Sequence, residues 1–191
     1  MVYVLGCDPG KTGAIVGVSD DGELIILRTP HMKSAKGRGE EILYGLMWTE
    51  FQAMFLPDKF GIIGRPKHAF IERVQAMPKQ GGSSMFKFGY GAGFLRGLIT
   101  AASIPLDMVE PQAWKKTARL KHGADKEACI PRACELWPKY TAELTPKRGH
   151  WDKEACKGVC DAALIGYHGL SILGAAPISF KTAETITVDD L

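Results

Sequence analysis

Apolar and polar positions along this chain fall into two periods, and the alternation between them predicts most of its elements. Tyr3–Cys7 (YVLGC) is apolar throughout, and Gly13–Ser19 (GAIVGVS) nearly so. After the Asp20-Asp21-Gly22 turn comes Glu23–Arg28 (ELIILR). Short apolar runs bounded by turn residues predict strands, here a three-stranded antiparallel meander. Met32–Gly39 (MKSAKGRG) is basic and glycine-containing and reads as a mobile loop. From Glu40 the period changes: Ile42, Leu43, Leu46, Met47, Phe51 and Phe55 recur at helical spacing, up to Pro57. Lys67–Val74 (KHAFIERV) predicts a fourth strand and Gln75–Ser84 a loop. Ser84 is a candidate cap for a helix running to about Ala102.

Leu106–Glu110 predicts a fifth strand and Pro111–Trp114 a short helix. A further helix runs from Asp125 to near Trp137, with Pro131 as a kink or its true start. Pro138–Lys153 reads as irregular and Cys156 to about Leu173 as a final helix. This order predicts an α/β fold with a central five-stranded mixed sheet, its first three strands antiparallel, flanked by helices. Strand one is apolar on both faces, as a central strand is. Residues 1–174 are expected to form one domain, with 175–191 a flexible C-terminal tail.

Composition changes this picture little. In 191 residues, 46% are hydrophobic, enough for an ordinary core, and the net charge of +3 points only weakly to an anionic partner. No apolar run reaches 18 residues, so no membrane partner is expected. The first residues, MVYVLGCD, lack a basic n-region and a cleavage site, so the expected location is cytoplasmic. Five cysteines without a CxxC argue against disulfides. Cys156 and Cys160, one helical turn apart, read as small buried residues rather than zinc ligands, because no second ligand pair has suitable spacing.

The candidate chemistry lies in three carboxylates. Asp8 ends strand one, Glu72 ends strand four, and Asp161 lies near the start of the last helix. Each has an ordinary reading: Asp8 as a turn former before Pro9, Glu72 on a sheet edge, Asp161 as a charge near a helix N-terminus. Together they carry more. If strands one and four are neighbours, Asp8 and Glu72 point into one space, and a helix across the sheet brings in Asp161. Carboxylates so close repel one another, and a divalent cation resolves the conflict. Two Mg²⁺ ions about 4 Å apart clamp a phosphodiester for in-line attack.

Basic residues gather in three places. Arg73, Lys79, Ser83, Ser84 and Lys87 surround the glycine-containing loop after Glu72. Lys115, Lys116, Arg119, Lys121 and Lys126 form a run opposed only by Asp125. Both groups suit phosphate contacts. Lys33, Lys36 and Arg38 form the third, which reads equally as a solvated loop.

At these residues the sequence resembles the RuvC family of Holliday junction resolvases, of the RNase H-like superfamily. The matching stretches are GCDPGKTGAIVGV, FIERVQAMPKQGGSSMFKFGYGAGFLRGLI, VEPQAWKK, GADKEAC and CDAALIGYHG, across residues 3 to 173. Compactness and divergence suggest a bacteriophage or prophage form. The resemblance implies a homodimer that binds a four-way DNA junction and nicks two opposing strands, using two Mg²⁺ per site with Mn²⁺ as a substitute. Asp8, Glu72 and Asp161 match the family's catalytic, metal-holding acids, and Lys115 and Lys126 match lysines near the scissile phosphate.

Two departures stand out. The family commonly has a further metal-capable residue three positions before its last acid, where this chain has Gly158, beside Lys157. Asp152 and His150 are the candidate replacements. Where many members place a junction-stacking aromatic, this chain has Gln75 and Met77, and Met77 suits either an apolar wedge between bases or local packing. The resemblance also places a dimer contact on the helix carrying Gly89, Gly91, Gly93 and Gly97. Tight packing on the chain's own sheet is the alternative.

Three rivals differ in kind. A sugar kinase or actin-like ATPase shares the core and a DxGxT-like turn, but needs two such domains. A non-catalytic junction-binding protein would keep the fold with an impaired metal site. A relaxed branched-DNA endonuclease would cut forks and flaps as well.

Overall fold

The computed structural model describes residues 2–33, 40–56, 64–75, 81–121, 128–147 and 152–175. Five strands form the main sheet: β1 (Tyr3–Asp8), β2 (Ala14–Ser19), β3 (Leu24–Arg28), β6 (Ala69–Glu72) and β7 (Leu106–Val109), in the order β3-β2-β1-β6-β7. The first three are antiparallel, while β6 lies parallel to β1 and β7 parallel to β6. This is the expected mixed sheet, with β1 at its centre.

Strand periodicity sorts side chains between two cores. Tyr3, Leu5 and Cys7 of β1 join Ile15, Leu27, Ala69 and Ile71 on one face. There α1 (Tyr44–Phe55) adds Met47, Phe51 and Phe55, and α2 (Gly82–Ala101) adds Leu95, Leu98 and Ile99. Val4 belongs to the other face, with Ala14, Val16, Val18 and Phe70 beneath α6 (Lys153–Ile172). Asp8 is four residues on from Val4, and Glu72 two on from Phe70. Period two therefore turns both carboxylates toward α6.

Helix α6 packs unusually close to the sheet. A Cβ on Gly6 would stand 2.0 Å from the Ala162 carbonyl oxygen, and one on Gly166 2.5 Å from Val18. One on Gly169 would stand 2.1 Å from the Phe70 ring. The helix is capped by Asp152, whose carboxylate accepts the Ala155 N–H at 2.7 Å. Cys156 and Cys160 are free, fully buried residues on it, as their spacing suggested.

Several boundaries differ from expectation. Glu40–Ile42 is a strand (β5) paired with β4 (His31–Lys33), and the following helix begins only at Tyr44. The apolar residues Ile42 and Leu43 had extended the helical pattern backwards. Ser84 does not cap α2: the helix starts at Gly82 with Gly81 at the cap and no side-chain cap bond. The short helix α3 runs on to Thr117. Arg119 closes it at φ 59°, a left-handed position that needs no glycine here because its N–H reaches the Lys116 carbonyl. Helix α4 spans Cys129–Leu136, with Pro131 in its first turn. The stretch read as irregular contains a 3₁₀ turn (Pro138–Tyr140) and α5 (Thr141–Leu144). In α2 a Cβ at Gly89, Gly93 or Gly97 would meet nothing within 4 Å, so those glycines do not serve packing on the described sheet. Lys36, Arg38, Met77, Lys79, Asp125, Lys126, His150 and the tail from residue 176 lie outside the described residues.

Candidate active site

Parallel pairing sets the two strand-end carboxylates side by side. The register runs Leu5↔Ala69, Gly6↔Phe70, Cys7↔Ile71, so Asp8 and Glu72 are level one step further on. Both sit at the C-terminal ends of parallel neighbours, where the chains turn away and leave open space above the sheet. Asp161 comes from the buried side of α6, 9% exposed.

Asp8 and Glu72 both sense the charge of Asp161. Burial pushes the Asp8 carboxyl well above the usual range, and the negative charges of Asp161 and then Glu72 push it further, while Lys157 and Lys115 oppose this. Glu72 is also raised, first by burial and then by Asp161, against a lowering hydrogen bond from Trp114. That bond, Trp114 Nε1–H to Glu72 Oε1 at 3.0 Å, aims the carboxylate. Trp114 itself is 1% exposed and fixed on α3, which His168 of α6 holds through Thr117 at 2.7 Å. Asp161 is held differently. Lys157, one turn earlier on α6, donates to its Oδ2 at 3.0 Å, and the buried Cys129 thiol is hydrogen-bonded to it as well.

The donor set is oxygen-only at Asp8 and Glu72, which suits a hard divalent cation. Among the described residues the Asp8 carboxylate makes no hydrogen bond or ion pair, and Glu72 accepts on one oxygen only. Those are free, partly desolvated lone pairs of the kind a bound ion satisfies. Asp161 instead already has a cation. In keeping with this, no three His, Cys, Asp or Glu side chains among the described residues stand grouped as a metal cluster. The missing fourth ligand also has a physical explanation. A Cβ at Gly158 would lie 1.9 Å from the Thr12 carbonyl oxygen, so the turn between β1 and β2 closes that position to any side chain. Asp152 is occupied in capping α6.

The expected DNA-contact residues surround this centre unevenly. Arg73 lines a groove of about 710 Å³ beside Glu72, with its guanidinium paired to Glu110 at 3.0 Å. Ser84 and Lys87 line a second groove, of about 600 Å³, together with Gly10 and Lys11 of the turn after Asp8. Ser83 is exposed beside Ser84 in the first turn of α2. Lys115 and Lys116 are exposed in the last turn of α3, where cations also complement the helix dipole. Lys115 lies 5.1 Å from the Trp114 ring centre and is electrostatically felt by Asp8 and Glu72. Arg119 and Lys121 are exposed beyond it. Three residues of the site were not anticipated: Trp114, Cys129 and, as an ion-pair partner, Lys157. Only the i, i+4 spacing of Lys157 and Asp161 was legible beforehand.

This topology, with carboxylates ending β1 and β6 and a third on the helix crossing them, is an RNase H-like α/β fold. Among solved structures, the chain is similar to Thermus thermophilus RuvC in complex with a Holliday junction substrate, at a TM-score of 0.52 and 16% identity, over 93% of this chain and 99% of that one. Thermus thermophilus RuvC on its own matches equally, at 0.52 and 16%, over 92% and 99%. No family model and no curated protein matches the chain. The expected fold stands, while neither neighbour speaks for a bacteriophage form.

Proposed function

We propose that this chain is a metal-dependent endodeoxyribonuclease that resolves branched DNA, four-way junctions above all, acting as a homodimer. The observation that carries the reading is the level pairing of Asp8 and Glu72 on the α6 face, with a free carboxylate between walls that bear Lys115 and Lys157. The likeness in fold to a resolvase solved with its junction supports the substrate class. An isolated buried carboxylate of this kind costs stability, so its persistence is better explained by chemistry than by packing.

Asp8 and Glu72 would hold the Mg²⁺ or Mn²⁺, with Trp114 fixing the rotamer of Glu72. A divalent ion there would supply Lewis acidity, activating a water and offsetting charge on the phosphate. The chain's own part is to place cations around the scissile phosphodiester. Lys115 approaches from α3 and Lys87 from α2, while Arg73 lines the groove next to Glu72. Hydrolysis breaks the P–O3′ bond, and water adds its oxygen to phosphorus and a proton to the departing 3′ oxygen. The open glycine face of α2 is where a second copy would dock.

The test uses purified protein with a labelled four-way junction, a three-way fork and a linear duplex, each in Mg²⁺, Mn²⁺ or EDTA. Expected are metal-dependent paired nicks in the junction and none in the duplex. The ratio of junction to fork cutting measures selectivity and separates the resolvase from a relaxed branch nuclease. Asp8→Asn and Glu72→Gln should each abolish cutting and leave junction binding largely intact. If both variants cut normally, the reading is wrong. The Lys157–Asp161 pair favours one second reading, a junction-binding protein without catalysis, which tight binding with no cutting in any metal would establish.

A further inference from the structure

The cation beside Asp161 has no counterpart in the pattern that the resemblance implies. Lys157 is 28% exposed in its side chain and sits over Asp161, itself 13% exposed, at 3.0 Å. Its charge also reaches the other two carboxylates, opposing the upward shift of both Asp8 and Glu72. Its position is forced by neighbours. Asp152 caps the first turn of α6, Gly158 lies flat against the Thr12 carbonyl, and Ala162 and Gly166 press on Gly6. The helix cannot rotate or lift without breaking that fit, so residue 157 is delivered to the edge of the carboxylate centre. The same contact that excludes a side chain at 158 thereby installs one at 157.

We propose that the Lys157 ammonium is a built-in second cation of this centre, which consequently takes one divalent ion rather than two. The proposal rests on the metal-nuclease reading of Asp8 and Glu72 and deepens it. A fixed positive charge paired to Asp161 removes that carboxylate from the ligand set and repels a second ion from the same space. Toward a phosphodiester, Lys157 supplies part of the charge neutralisation that a second ion supplies elsewhere. It acts as a point charge with three donors, one of which is already given to Asp161.

The experiment is Mn²⁺ binding to the full chain without DNA, followed by titration calorimetry and by the loss of the free-ion paramagnetic resonance signal. Wild type is expected to bind one ion per chain, and Asp8→Asn none. Lys157→Met is expected to bind a second ion, or the first at least about tenfold more tightly, because a repulsive charge has gone. Lys157→Arg, which keeps the charge, is expected to stay at one. Thermal melting confirms that each variant is folded, and Lys157→Gln, which also removes the charge, carries the test if the methionine one is not. Two ions in wild type, or one ion bound no more tightly by folded Lys157→Met than by wild type, overturns the proposal and leaves the nuclease reading standing. Two ions in Lys157→Arg also overturns it. No ion in wild type or any variant overturns both.

Discussion

The two faces of the sheet meet their helices differently. The face under α1 and α2 is filled with bulk: Phe51, Phe55, Leu5, Ile15, Ile71 and Ile99 are all at most 1% exposed. Its buried cluster, among the described residues, holds no carboxylate. The face under α6 carries bulk too, with Trp114, Trp137, Phe70 and Leu164 fully buried, but where the helix crosses the sheet it is closed by small residues, with Gly6, Gly158, Ala162, Gly166 and Gly169 at the contact. It is on that face that Asp8 lies within electrostatic reach of Glu72, Asp161 and Lys157. Large side chains tolerate small shifts by repacking, whereas glycine-to-backbone contact leaves no slack. A charged centre needs fixed geometry, and the rigid face is the one that carries it.

The sharpest way to break this contrast is to add atoms where there is no slack. Gly166→Leu and Gly6→Val place side chains into Val18 or the Ala162 carbonyl and should unfold the chain or cost at least about 3 kcal/mol in urea denaturation. Gly158→Asp, which restores the absent ligand position on paper, should be destabilised for the same reason and gain no cleavage. A stable, more active Gly158→Asp would refute the rigid-face account. On the bulky face the sensitive change is removal: Phe51→Ala should cost about 3–5 kcal/mol, with the metal-binding stoichiometry of the folded fraction unchanged.

Smaller effects probe the centre itself. Trp114→Phe keeps an aromatic side chain but shrinks the ring and deletes the bond to Glu72. It should cost about 1–3 kcal/mol in stability, from the lost bond and the space left by the smaller ring, and reduce junction cutting about tenfold, with junction affinity retained. The smallest effect concerns Asp8. Its carboxyl titrates above its unfolded value, faced by Asp161 and Glu72 and opposed by Lys157 and Lys115. The folded form therefore holds a proton that the unfolded form has lost. Metal-free stability should fall as pH rises from the ordinary carboxylate range toward that raised value. Asp8→Asn should accordingly melt about 2–4 °C above wild type in EDTA at pH 7, the size of about 1 kcal/mol in a chain this long, and closer to it at pH 4. An equal gap at both pH values would remove the electrostatic argument.

Much of this was legible in the residues. The five strands, their antiparallel start and the two long helices follow from apolar runs of strand length and from 3.6-residue spacing. Asp8, Glu72 and Asp161 each have an ordinary reading and stood out only in combination. The boundaries were less legible. Ile42 and Leu43 continue a helical pattern, yet Glu40–Ile42 pairs with His31–Lys33, because strand pairing with the segment just before it outweighs the helical period. Trp114 read as the end of a short helix, with nothing to show that its N–H would reach a carboxylate 42 residues away.

Sequence by itself determined which positions alternate and which repeat every three to four residues, and hence that Asp8 and Glu72 share a face with Val4 and Phe70. It also put Lys157 one turn from Asp161. Only the tertiary structure decided what those positions mean. The absence of a side chain at 158 became a consequence of the Thr12 carbonyl beneath it, and the presence of Lys157 a consequence of how closely α6 lies on β1. Periodicity is a local property of the backbone. Contact between a helix and a strand some 150 residues apart in the chain depends on the shapes of both, and no local pattern encodes it.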